Sequence, residues 1–234
     1  MIAAHHSMLR KAGGAFIVPT GYIEFNVNNV SRQSRYFDSG VVPTANTKVE
    51  IMHVRHSNAP NATRGIQSGC RTGWVSGAMQ LNVYPANTHF WFAWNNATNN
   101  VEDAEYQDPP EFAVASFNPG GLVSVVGINP AVSYTYNFGQ NFSSSRSNTF
   151  FIGDSNENGT AKGRTDSQGC GRIAWVKFYE SGALIHNFVA STYNNKPSFY
   201  DEVTGNYLQS AGNAAESSLR YVALAWGGGI SANA

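Results

Sequence analysis

From Tyr22 onward the chain alternates apolar and polar residues with a period of two, and helical periodicity is nowhere sustained beyond the first residues. Val132, Tyr134, Tyr136 and Phe138 fall on one side of a strand whose other side carries Ser133, Thr135 and Asn137. Met79, Leu81 and Val83 alternate with Gln80 and Asn82 in the same way. Ala174, Val176 and Phe178 alternate with Ile173, Trp175, Lys177 and Tyr179, so that strand is expected to be covered on both sides. The runs 112–118, 122–128 and 219–226 are strand-length and rich in β-branched or aromatic residues. Turn chemistry separates them: Asn118-Pro119-Gly120-Gly121, Asn129-Pro130, Glu180-Ser181-Gly182 and Thr204-Gly205-Asn206. About a dozen short strands spaced this way predict an all-β fold of two packed sheets. Segments 57–64, 95–110 and 140–148 read as the long loops.

No linker or internal repeat divides the pattern. The expected organisation is an N-terminal arm over 1–20, one sandwich over 21–226 and a Gly-rich tail over 227–234. The arm is not patterned as a secretory signal, because its charges follow its apolar residues. No segment approaches the ~18 apolar residues of a membrane span. Charged residues are only 13% of the chain and balance at fifteen of each sign, so nothing attracts nucleic acid or an anionic membrane. A neutral, amide-rich surface suits a particle, an assembly or sugar contact. Cys70 and Cys170 lie in Gly-rich contexts without metal-ligand spacing and are expected as buried free thiols, with a disulfide between them as the alternative.

Catalytic patterns are sparse. The acidic run Glu102-Asp103-Ala104-Glu105, continued by Asp108 and Glu111, has loop chemistry rather than two carboxylates alternating on one strand. There is no Gly-x-Ser-x-Gly elbow and no His-Glu-x-x-His. His53 and His56 are three apart, which puts them on opposite faces of a strand. Asp154-Ser155-Asn156-Glu157-Asn158-Gly159 matches the first half of a calcium loop, making Asp154, Asn156 and Asn158 the candidate ligands and Ca²⁺ the cofactor to consider. The twelfth position is Thr165 instead of Glu, so the leading expectation is no metal. For sugar, the best source is 89–94: alternation sends Trp91 to the face opposite Phe90, Phe92 and Trp94. His89 and Trp91, with Trp74 or Tyr84, form the candidate ligand platform.

Three stretches carry a resemblance. They are Tyr22-Ile23-Glu24-Phe25 with Tyr36-Phe37-Asp38-Ser39-Gly40-Val41-Val42-Pro43-Thr44; then Gly171-Arg172-Ile173-Ala174-Trp175-Val176-Lys177-Phe178-Tyr179; then Phe199-Tyr200-Asp201-Glu202-Val203-Thr204-Gly205-Asn206-Tyr207. In this order they resemble the concanavalin A-like, or LamG-like, jelly-roll domains of gut Bacteroidales and their phages. Ser39, Asn187 and Ala190 depart from the residues that family usually has there. The resemblance implies a two-sheet jelly-roll sandwich and brings no catalytic residues. It implies a non-catalytic structural or adhesive protein of a phage virion: a capsid decoration, head fibre or tail component. Its partners would be other virion proteins, held through the terminal arms in a homo-oligomer or larger assembly, with glycans as a further ligand class. A carbohydrate-binding adhesin on a bacterial surface is the alternative, and a glycoside hydrolase the third reading. Asp38-Ser39-Gly40 and Asp201-Glu202-Val203-Thr204-Gly205 read physically as turn builders, with Asp accepting backbone N–H groups and Gly taking positive φ.

Overall fold

The computed structural model describes residues 19–25, 35–55, 66–73, 76–83, 90–95, 97–101, 111–128, 131–144, 147–161, 171–212 and 215–224. Nineteen strands lie among them. The first half of the chain supplies β1 (Gly21–Phe25), β2 (Arg35–Asp38), β3 (Thr47–Val54), β4 (Gln67–Arg71), β5 (Ala78–Val83), β6 (Phe90–Asn95), β7 (Ala97–Val101) and β8 (Phe112–Asn118). Then come β9 (Leu122–Ile128), β10 (Val132–Asn137), β11 (Phe151–Ile152), β12 (Ser155–Glu157) and β13 (Thr160–Ala161). The last are β14 (Gly171–Glu180), β15 (Ala183–Tyr193), β16 (Lys196–Asp201), β17 (Tyr207–Gln209), β18 (Ala211–Gly212) and β19 (Leu219–Ala223). No helix among the described residues is long and apolar enough to cross a membrane.

The strands form two sheets. The larger runs β10-β9-β8-β3-β14-β15-β16-β17, with β1 on β14 and β19 on β1. The smaller runs β18-β2-β11-β4-β5-β6-β7, with β12 on β4 and β13 on β12. Pairing among the described residues is antiparallel except for β12 with β4. Inward side chains of both sheets make one continuous core. Aromatic pairs cross from sheet to sheet: Phe92 meets Phe117 at 5.4 Å, Phe37 meets Phe199 at 4.9 Å, and Phe150 meets Phe178 at 5.3 Å, all edge to face. The expected β-sandwich is therefore present.

Local chemistry explains the reversals. Ser181-Gly182, Asn194-Asn195 and Asn158-Gly159 each have positive φ at both positions and join directly paired residues. Two consecutive left-handed residues match the twist of a tight hairpin, which is why Asn and Gly recur there. Asp38 accepts from Gly40 N at 2.9 Å, and Asp201 accepts from Val203 N at 3.1 Å, the turn roles expected of them.

Two expectations need correcting. Segment 95–110 was expected as loop, yet it contains β7, which turns back from Asn95 (φ 53°) and pairs Trp94 with Ala97. β14 also does not alternate evenly. A register shift between Ile173 and Trp175 sends Ile173 into the inter-sheet core beside Val176 and Phe178. Ala174 joins Tyr22, Met52, Val54 and Phe112 in a second, smaller apolar cluster on the larger sheet. Segment 140–148 has no strand among its described residues but is anchored. Trp94 Nε1 donates to Gln140 O at 2.8 Å, Asn95 Nδ2 to Asn141 O at 2.7 Å, and Phe142 enters the core.

Candidate functional site

The outward face of β4, β5 and β6 gathers the most chemistry among the described residues. Alternation forces it: Cys70, Met79, Leu81, Phe90, Phe92 and Trp94 take the core side, which leaves Gln67, Arg71, Gln80, Asn82 and Trp91 on the other. Register then sets the neighbours. Asn82 lies directly opposite Gln67 on one side and opposite Trp91 on the other. Trp91 is half-buried and does face away from Phe90, Phe92 and Trp94, as the sequence pattern predicts.

The polar groups form a chain of bonds. Glu157 Oε2 lies 2.9 Å from Arg71 Nε. Arg71 Nη1 donates to Gln80 Oε1 at 3.3 Å, and Ser155 Oγ donates to the same oxygen at 3.0 Å. Gln80 Nε2 donates onward to Asn82 Oδ1 at 3.1 Å. The chain stops there. Asn82 Nδ2 and Gln67 Oε1 are buried without a hydrogen-bond partner among the described residues. A buried amide atom left unpaired costs about 1–3 kcal/mol, so such atoms call for a water or a ligand. One donor and one acceptor on opposed residues suit a hydroxyl, which can accept from the first and donate to the second. Gln67, Gln80 and Asn82 are buried beside the half-buried indole of Trp91, and Glu157 is held in its ion pair with Arg71.

The other candidates fare differently. His89, Trp74 and Tyr84 lie outside the described residues, as do His56, Cys170, the acidic run 102–108, and the arm and tail at 1–18 and 225–234. The structure thus brings Trp91 together with the amides of Gln67, Gln80 and Asn82, none of which the sequence singles out for binding. Their signal was available: polar residues at every second position of strands whose alternate positions are core.

The candidate calcium ligands are occupied with the fold. Asn156 Nδ2 donates to Thr149 O at 2.9 Å while its Oδ1 accepts from Gly159 N at 2.8 Å. Asn158 Nδ2 donates to Thr72 O at 3.2 Å, and Asp154 Oδ1 accepts from Ser155 N at 2.6 Å. Among the described residues no three His, Cys, Asp or Glu cluster for a metal.

Cys70 and His53 are titratable groups buried in the core. Cys70 is a free thiol that burial pushes up to about 12, so it is inert at neutral pH. His53 points inward, edge to face with Phe90 at 5.9 Å, and neither ring nitrogen has a hydrogen-bond partner among the described residues. Burial pushes its pKa down to about 3, so the ring is neutral at physiological pH.

A carboxylate–imidazole pair lies apart from this face. Asp201 Oδ2 is 2.7 Å from His186 Nδ1 and accepts from Thr204 Oγ1 at 2.7 Å, while Oδ1 accepts from Asn187 N at 2.9 Å. Burial works to raise the Asp201 carboxyl, but the bonds from His186, Asn187, Thr204 and Val203 outweigh it and hold the pKa below the ordinary value. The Thr204 hydroxyl donates to the carboxylate and not to the imidazole, so the hydroxyl–imidazole–carboxylate order of a nucleophilic triad is missing. The group fixes the β16–β17 turn to β15.

Searches against known family models and against curated proteins give no match to this chain.

Proposed function

We propose that this chain is a non-catalytic structural and adhesive component of a phage virion, a capsid decoration, head fibre or tail component, built on a concanavalin-like jelly roll. The observation that supports it most is where the domain's ends lie. β1 and β19 pair over their full length, from Gly21 opposite Ala223 to Phe25 opposite Leu219, and Leu224 N donates to Thr20 O at 2.9 Å. Thr20 and Leu224, near the two ends of the described sandwich, are therefore side by side, and a single neighbouring subunit could hold the segments attached there. The family resemblance and the low charge point the same way.

The test is to isolate the assembled particle and determine which chains contact the two terminal segments. Burial of both against other chains supports the virion role. A free monomer with unengaged ends sinks it.

One observation favours a second reading, a carbohydrate-binding adhesin of a bacterial surface: Trp91 stands opposite Asn82, and Asn82 opposite Gln67, with an amide atom of each left without a partner among the described residues. On that reading neutral glycans bind the β4–β6 face without calcium. Trp91→Ala would lower glycan retention at least ~10-fold, the scale of one lost aromatic contact, while chelator leaves it unchanged.

A further inference from the structure

β10 closes one end of the larger sheet. It pairs with β9 through six consecutive register positions, from Val132 opposite Gly127 to Asn137 opposite Leu122, without a shift. No strand among the described residues pairs with its other side, and Ser133, Thr135, Tyr136 and Asn137 are exposed. An open edge offers a row of unpaired N–H and C=O groups, and chains that remain single blunt it with Lys, Pro, a bulge or a very short strand. Val132-Ser133-Tyr134-Thr135-Tyr136-Asn137 has none of these. It is also free of Gly and of charge, and combines β-branched with aromatic residues.

The surroundings extend the neutrality. From position 112 to 145 there is no Asp, Glu, Lys, Arg or His, although charged residues make up 13% of the chain. The whole β8–β9–β10 end can thus meet an identical surface without repulsion. Other edges among the described residues differ, β19 by carrying Arg220. β17 has three residues and β18 two, and β7 leads in sequence into Glu102-Asp103-Ala104-Glu105, an acidic run that would repel its own copy.

We infer that β10 pairs antiparallel with β10 of a second copy of this chain, about a two-fold axis normal to the sheet, joining two larger sheets into one. Such an axis keeps each sheet face on its own side, so opposed residues must have like parity. Tyr134, which packs against the core, then meets Tyr134 or Tyr136, and Thr135 on the outer side meets Ser133 or Thr135. Both registers give aromatic pairs on the sandwich side and hydroxyl pairs outside, combinations that stabilise cross-strand contact. The interface does not use the terminal segments and stands whether or not these hold a virion partner.

The experiment is sedimentation of the full chain from low micromolar to submillimolar concentration. The native chain is expected to dimerise. Ser133→Lys with Thr135→Lys places four ammonium groups along the shared ladder, raising the dimer Kd on the order of 100-fold with an unchanged melting midpoint. Thr192→Lys, exposed on β15, is expected to behave as the native chain. A native chain that stays monomeric overturns the inference, and so does a double variant that keeps the native assembly, since contacts through the ends would survive it. Hydrogen exchange on the unaltered chain decides without any variant. The amides of 132–137 must gain protection as concentration rises, and equal exchange at both extremes overturns the pairing.

Discussion

The two ends of the larger sheet are built on the same core and finished differently. At the β14–β17 end, Thr44 and Thr47 donate to Glu180 at 2.7 Å, His186 meets Asp201, Asn187 Nδ2 donates to Glu202 Oε2 at 2.6 Å, and Lys196 pairs with Glu216 at 2.9 Å. At the β8–β10 end no residue is charged. Yet Phe117, Val123 and Val125 are as thoroughly buried as Phe178, Phe188 and Phe199. The charged groups therefore do not make the core. They stand where hairpins and loops must be fixed to their neighbours. The neutral end is held by ladder bonds, apolar burial and neutral side-chain bonds such as Asn118 Nδ2 to Leu122 O at 3.1 Å.

The sharpest way to break this comparison is to remove one core ring from each end. Phe117→Ala and Phe178→Ala should each cost about 3–5 kcal/mol in chemical denaturation, because both leave a cavity between tightly packed sheets. A markedly cheaper Phe117→Ala would mean that the neutral end carries less of the core than its burial indicates. Asp201→Ala should cost about 3 kcal/mol by the same measurement, since four donors lose their acceptor. An equal loss on replacing Ser124, half-buried at the neutral end, would erase the distinction between the two ends.

His53 lies on β3, between the two ends, and supplies a pH test. Its pKa falls from an ordinary 6.5 to about 3 in the fold, so below pH 6.5 the unfolded chain binds the proton and the native one does not. Stability present above 6.5 should then fall by about 1.4 kcal/mol per pH unit down towards 3. Asp201, whose pKa is also depressed, adds loss of the same sign only below its ordinary 3.8. Denaturation midpoints of His53→Leu should be flatter between pH 6 and 4 than those of the native chain, and an unchanged slope would rule out the buried imidazole as its source. The smallest expected effect is at Glu216. Its carboxyl is held below the ordinary value first by the Lys196 hydrogen bond, yet it is fully exposed, so Glu216→Gln should leave the melting temperature unmoved.

Much of the fold was legible in the sequence, for physical reasons. Alternation gave the sheets and the outward direction of Trp91, and turn chemistry gave Asp38 and Asp201 their roles. β7 was not legible, because Ala97-Thr98-Asn99-Asn100-Val101 neither alternates nor is rich in strand formers; pairing with β6 overrides its composition. The shift before Trp175 carries no residue signal, since Ile173 and Ala174 suit either face. The candidate site was half-legible. Trp91 was named, but the bond from Ser155 to Gln80 joins positions seventy-five apart, a proximity that only the folded sheet creates. The uncharged run 112–145 was in plain view, and it acquired meaning only once β10 was found at an edge.

The pairing of β1 with β19 has a mechanical consequence. Gly21 and Ala223 stand opposite each other at the same end of an antiparallel ladder, so tension between the two chain ends acts across the hydrogen bonds at that end. It would part the ladder one rung at a time, as a zipper opens, instead of loading all rungs together in shear. A pull on both ends in opposite directions meets the weakest geometry that a strand pair offers. Were both ends fastened to a single support, the same load would bypass the sandwich, and force arriving at its far edges would reach the support without opening the fold.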